Sequence, residues 1–103
     1  MPHVKLSARA NLDLMRLYEF LAQYDAPTAD RAIDTIIAAL DILEIMPQGC
    51  PLVVGRKDLR KLVINFGATG YLAFYSYDPL TDTSTVASIL HQKERYSAQT
   101  VAR

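Results

Sequence analysis

The residues best suited to chemistry fall in two short segments. Arg60 and Lys61 are adjacent in one, and His91, Lys93, Arg95 and Tyr96 crowd the other. Together they are the types needed to cut an RNA backbone without a metal. That reaction takes a base for the 2′-hydroxyl, cations for the in-line phosphorane and an acid for the departing oxygen. Histidine is the usual proton carrier at neutral pH. Against this reading, Glu94 stands inside the second cluster, where it would repel phosphate.

Each of these residues also has a purely structural reading. His91 at a strand end can bond a backbone carbonyl. Arg60 can pair with an acidic helix residue or stack on a tyrosine. Lys93-Glu94-Arg95 can be a solvated helix start, as mixed charge runs usually are. Other chemistries have no foothold. There is no glycine-rich phosphate loop, no Cys-x-x-Cys and no His-x-x-x-His. Two histidines and one cysteine, far apart, do not make a zinc site, so no metal and no cofactor is expected. Cys50, between Gly49 and Pro51, has no base near it in sequence and reads as inert.

The chain that must position these groups has 103 residues, half of them hydrophobic, which suits one domain (1–103) with one core. No apolar run approaches the roughly 20 residues of a bilayer span. The start, Met1-Pro2-His3-Val4-Lys5, is not a secretion signal. With a single cysteine the expected location is the cytoplasm. Formal net charge is zero but unevenly spread. Asp13, Glu19, Asp25, Asp30, Asp34, Asp41 and Glu44 face only Arg16 and Arg31, whereas Arg56, Lys57, Arg60 and Lys61 enclose one acid, Asp58. A free-standing nucleic-acid binder would carry a strong positive charge overall. Direct binding to free nucleic acid is therefore not expected, and neither is a membrane partner.

Periodicity supplies the elements. Val4 to Leu6 is a short strand candidate, and Ser7 can cap a helix running from Ala8 to about Tyr24. Ala10, Leu14, Leu17, Tyr18 and Leu21 form its apolar stripe, with Asp13, Arg16, Glu19 and Gln23 read as lying off it. Asp25-Ala26-Pro27-Thr28 ends that helix, and a second runs from Pro27 or Thr28 to Met46 on Ala29, Ile33, Ile36, Ile37, Leu40 and Leu43. Pro47-Gln48-Gly49-Cys50-Pro51 stops it. Strands follow at Leu59 to Phe66, Tyr71 to Tyr77 and Thr85 to Leu90, with turns at Gly67-Ala68-Thr69-Gly70 and Asp78 to Asp82. Helices followed by strands predict an α+β fold: a two-helix antiparallel hairpin packed on a three- to four-stranded antiparallel sheet. Which face of the first hairpin strand matches Tyr71, Tyr75 and Tyr77 depends on a register the sequence leaves open.

Several segments in this order resemble the ParE/RelE superfamily of toxins from type II toxin–antitoxin modules. Lys5-Leu6-Ser7-Ala8-Arg9-Ala10 with Asp13-Leu14 is similar to that family's opening. Pro27, Ala29, Ala32, Leu43 and Pro47-Gln48-Gly49 are similar to its second helix and terminator. Leu59-Arg60-Lys61-Leu62 resembles its arginine-bearing strand, Tyr71-Leu72-Ala73-Phe74-Tyr75 its central strand, and Ile89-Leu90-His91-Gln92 the final strand of the ParE branch. The resemblance implies a growth-arresting protein of the plasmid-stabilisation type, neutralised by a cognate antitoxin. In the ParE branch it implies DNA gyrase as target and inhibition by binding. In the RelE branch it implies ribosome-dependent cleavage of messenger RNA, with Arg60, Lys61, His91, Lys93, Arg95 and Tyr96 as the catalytic set. The ParE branch is the closer match. Lys93, Arg95, Tyr96 and Arg103 are then the expected target-binding residues. Tyr24, Tyr71, Tyr75 and Tyr77 are the expected antitoxin-binding ones, since tyrosine favours interfaces.

Overall fold

A computed structural model describes residues 3–94. Strand β1 (His3–Leu6) leads into helix α1 (Ala8–Ala22), followed by α2 (Ala26–Leu40) and a 3-10 turn at Asp41–Glu44. Strands β2 (Arg60–Phe66), β3 (Thr69–Asp78) and β4 (Thr83–His91) complete the order. Both helices start where side chains can take up orphan amides. The Ser7 hydroxyl accepts the Ala10 N–H at 3.0 Å, and the Asp25 carboxylate accepts the Thr28 N–H at 3.2 Å. Pro27 sits in the first turn of α2, where its missing N–H costs nothing. The α-helices end earlier than periodicity predicts, α1 at Ala22 and α2 at Leu40, the second tightening into the 3-10 turn.

The sheet order is β1-β4-β3-β2. β2–β3 and β3–β4 are antiparallel, while β1 pairs in parallel with the start of β4, His3 opposite Thr83 through Leu6 opposite Val86. The expected meander is therefore present, but the added edge strand makes the sheet mixed. The first hairpin turns through Gly67-Ala68. Gly67 has φ +62° and Ala68 is not in the left-handed region, the signature of a type II′ turn with glycine at its first central position.

That turn fixes the register: Leu62 faces Ala73, Ile64 faces Tyr71 and Arg60 faces Tyr75. Tyr71 and Tyr75 therefore share a sheet face with Ile64, and this is the face the helices cover. Both rings belong to one buried cluster with Leu17, Ile36, Leu40 and Ile89. The expectation that the tyrosines of β3 form an open docking face is corrected here. Tyr71 is 3% exposed and Tyr75 fully buried, because burying those two rings is what the helix pair does. Tyr77 is half-buried, its hydroxyl donating to Asp82 at 2.5 Å in the β3–β4 turn. A smaller cluster of Leu59, Leu72, Phe74 and Leu90 fills the opposite sheet face, with Val53 from the preceding loop against it.

Candidate functional site

Beyond Val86 the outer edge of β4 loses its strand partner, because β1 has ended at Leu6 and the chain has turned into α1. Side chains and backbone around α1 take over. The Ser7 N–H donates to the Val86 carbonyl at 2.9 Å, and the Ser7 hydroxyl donates to the Ala87 carbonyl at 3.0 Å. Asp13 Oδ2 then accepts the Ile89 N–H at 2.9 Å and the Ser88 hydroxyl at 3.1 Å. This carboxylate is 5% exposed, with Arg9 and Arg16 at 3.7 and 3.6 Å from its other oxygen. The substitution of helix for strand coincides with a bulge. Phe74 pairs with Ser88 but Tyr75 with Val86, leaving Ala87 as the extra residue.

Arg16 continues the chain of contacts to the strand exit. Its guanidinium bonds Glu94 at 2.8 Å and reaches the Ile89 carbonyl at 3.4 Å. Partial burial pulls the Arg16 pKa down, but the Glu94 bond and the charges of Glu94 and Asp13 outweigh that and hold it above its ordinary value. Glu94, which on sequence looked misplaced among cations, is the anchor of the exit rather than a phosphate contact.

Between α1, the tip of the β2–β3 hairpin and the β4 exit lies a largely apolar cleft of about 630 Å³. Leu17, Phe20 and Leu21 form one wall; Phe66, Thr69 and Tyr71 form the other; His91, Lys93 and Glu94 close the end. Phe20 is 60% exposed and stacks edge-on with Tyr24, itself 74% exposed, at 5.7 Å between ring centres. The apolar surface thus continues from the cleft along the outside of the helix hairpin. Burial pushes the Tyr71 phenol up, so it is neutral at physiological pH and no proton acceptor.

Of the residues expected to form a nuclease centre, His91 and Lys93 border the cleft, whereas Arg60 and Lys61 do not. Arg60 is opposite Tyr75, whereas His91 is opposite Tyr71, four residues away along β3 or about 13 Å at roughly 3.3 Å per residue. Lys61, one residue on from Arg60, points to the other sheet face, opposite Phe74. Arg60 bonds the Cys50 carbonyl at 2.6 Å, tying the loop before β2 to the strand. His91 is engaged on both ring nitrogens. Its Nδ1 accepts the Lys93 N–H at 3.1 Å, which leaves Nε2–H to donate to Thr69 Oγ1 at 3.0 Å. Its ring also meets Tyr71 edge-on at 5.5 Å. Both residues thus have structural engagements, though with other partners than expected: Arg60 holds a loop carbonyl instead of a helix acid or a tyrosine ring, and His91 holds a hydroxyl and a backbone N–H instead of a carbonyl. Lys93 is exposed at the exit. Arg95, Tyr96 and Arg103 lie outside the described residues.

Asp13, Arg16, Phe20 and Phe66 complete the site and are not singled out by sequence chemistry. Among the described residues no group of three or more His, Cys, Asp or Glu side chains could hold a metal ion, and no helix is long and apolar enough to cross a membrane.

Comparison with known proteins decides what this arrangement belongs to. Residues 4–96 match the family model described as ParE toxin of the type II toxin–antitoxin system, parDE. The chain belongs to the ParE toxin family. It is 37% identical over 98 residues to Toxin RelE3 of Caulobacter vibrioides, a match covering 92% of this chain and 99% of the relative. A solved structure titled chromosomal ParDE TA system from P. aeruginosa superposes with a TM-score of 0.73 over 88% of this chain and 96% of that one. At 18% identity that likeness speaks to the fold alone, two helices on a four-stranded mixed sheet. The protein is the toxin of a type II toxin–antitoxin system of the ParE/RelE family, and such a toxin has a cognate antitoxin as partner.

Proposed function

We propose that this toxin arrests growth by binding DNA gyrase and not by cutting RNA. The observation that carries the reading is the separation of Arg60 and Lys61 from His91, together with the double engagement of the His91 ring. A general base needs a free lone pair within reach of the proton it removes, and cations must meet the same phosphorane. Both ring nitrogens of His91 are engaged, and Arg60 and Lys61 lie too far along the sheet to act with it. Zero net charge also gives no electrostatic grip on free RNA. The effector residues are Lys93, at the β4 exit that the Arg16–Glu94 pair braces, together with Arg95, Tyr96 and Arg103. The antitoxin covers the apolar surface of α1 at Phe20 and Tyr24 and the adjoining cleft, whose exposed rings are poor company for water.

Purified toxin added to a gyrase supercoiling reaction tests the target. Inhibition at micromolar toxin is expected, unchanged by Arg60→Ala. Absence of inhibition, with ribosome-dependent transcript cleavage that Arg60→Ala abolishes, would transfer the activity to ribonuclease chemistry. The name of the Caulobacter relative, Toxin RelE3, is the one observation favouring that second reading.

A further inference from the structure

β4 leaves the sheet through a tight turn, His91 to Glu94. The Gln92 N–H donates to the Gly70 carbonyl at 2.9 Å, which still ties the turn to β3. The next two amides both return to His91. The Lys93 N–H donates to ring Nδ1 at 3.1 Å, and the Glu94 N–H donates to the His91 carbonyl at 2.9 Å. On its other side the ring is seated by Thr69 Oγ1, 3.0 Å from Nε2, and by the edge of Tyr71. His91 is thus anchored on β3 and in turn holds the backbone of Lys93, from which the sequence continues to Arg95 and Tyr96.

A ring nitrogen accepts a hydrogen bond only while it carries no proton. A proton on Nδ1 would set two N–H groups against each other at 3.1 Å, whereas the Nε2–H bond to Thr69 would persist. The loss therefore falls on the turn and not on the seat of the ring. Around the cleft, α1 contributes Arg16, with Asp13 behind it, and the exit contributes Lys93 and Glu94. The β2–β3 hairpin contributes the neutral Tyr71 phenol and no charge. Glu94 is the one anion lining the cleft, and Arg16 holds it at 2.8 Å. A cationic ring would compete with Arg16 for that carboxylate, so both contacts that set the turn change together.

We propose that His91 is a positioning residue for the effector exit, holding Lys93 in place only while its imidazole is neutral. Histidine is the side chain that changes charge between about pH 5 and 8. The exit is set at the alkaline end of that range and released at the acid end, so the toxin is more potent at the alkaline end. The inference rests on the gyrase reading above for its activity measurement and on the turn geometry for the rest.

Nitrogen NMR of the full-length toxin across that pH range follows the His91 ring and the Lys93 amide together. The Lys93 amide should shift with the same midpoint as the ring, while the Ile89 amide, held by Asp13, should not. The toxin concentration that halves supercoiling, normalised to uninhibited gyrase at each pH, should rise roughly fivefold toward the acid end, as for one lost hydrogen bond. His91→Leu should weaken inhibition by a similar factor already at the alkaline end. His91→Asn offers a carboxamide oxygen to the Lys93 N–H and does not titrate. It should restore most of that loss and show no pH profile. Equal losses in the two variants, or a Lys93 amide that ignores the ring's titration, overturn the proposal. The NMR measurement needs no variant, so a misfolded His91→Leu leaves it decisive. A Lys93 amide that follows the ring, with no inhibition of gyrase at any pH, supports the positioning role and overturns the gyrase reading.

Discussion

Asp13 Oδ2 lies 2.9 Å from the backbone nitrogen of Ile89, so a helix carboxylate takes the place of a strand carbonyl at the edge of β4. It joins residues 76 apart in the chain and holds the bulge at Ala87 in register. Removing the acceptor leaves the buried Ile89 N–H without its carboxylate partner. Asp13→Ala should therefore cost about 3 kcal/mol, at the upper end for a buried donor left unpaired. Asp13→Asn keeps an acceptor oxygen and should cost less than half as much. Urea unfolding of both variants at one pH checks the order, which is the diagnostic part.

Gly70 is required for a different reason. A Cβ built there would stand 2.0 Å from the Ile64 carbonyl oxygen and 3.0 Å from the Asn65 Cα, both backbone atoms that cannot step aside. Gly70→Ala should open the β2–β3 hairpin and lower stability by several kcal/mol, toward the extreme of single substitutions. Gly67→Ala meets no atom but is strained at φ +62°, and should cost only about 1–2 kcal/mol. Thermal melts of the two variants should separate clearly.

Tyr75 gives the fold an alkaline limit. Its hydroxyl donates to the Pro47 carbonyl at 2.8 Å, and burial above all pushes its ionisation well above the ordinary value of 10.0. A pKa raised on folding means stability that is full below pH 10, where the phenol is neutral in both states. It is then lost as the unfolded chain ionises and the folded one cannot. Unfolding free energy should fall steadily above pH 10. Tyr75→Phe should cost about 1 kcal/mol at neutral pH through the lost bond and should flatten that alkaline decline.

Tyr24 and Phe20 present the opposite case, large rings left in water. Replacing either with alanine should leave the melting temperature within a degree or two, since neither is buried. Antitoxin affinity should drop roughly tenfold for each, or about 1.4 kcal/mol, as for an aromatic anchor near an interface centre. Calorimetric titration of the two variants measures this.

The helices, the turn residues and the three long strands are legible because each announces itself within a few residues: Ser7 and Pro27 as starts, Pro47-Gln48-Gly49 as a stop, alternation in β2 and β3. What escapes is set by distant parts of the chain. Tyr71 and Tyr75 alternate equally well for either sheet face, and only the two-residue turn at Gly67 aligns them with Ile64 under the helices. Asp13 reads as an off-stripe polar residue, yet it sits three after Ala10 and four before Leu17, within the apolar stripe, with arginines at Arg9 and Arg16 to either side. That pattern is the available signal for a buried carboxylate. Its partner, an amide exposed by the early end of β1, cannot be seen in any local window. His91 and Arg60 look catalytic by type because residue type says nothing of the bonds that occupy them.

The parallel pairing of β1 with β4 has a consequence for synthesis. During translation β1 finds its neighbour only when Thr83 to Val86 have been made, and Asp13 waits for Ile89. Contacts this remote in sequence close slowly and late. A nascent chain that stops short of β4 consequently lacks both the partner of β1 and the amide that Asp13 accepts.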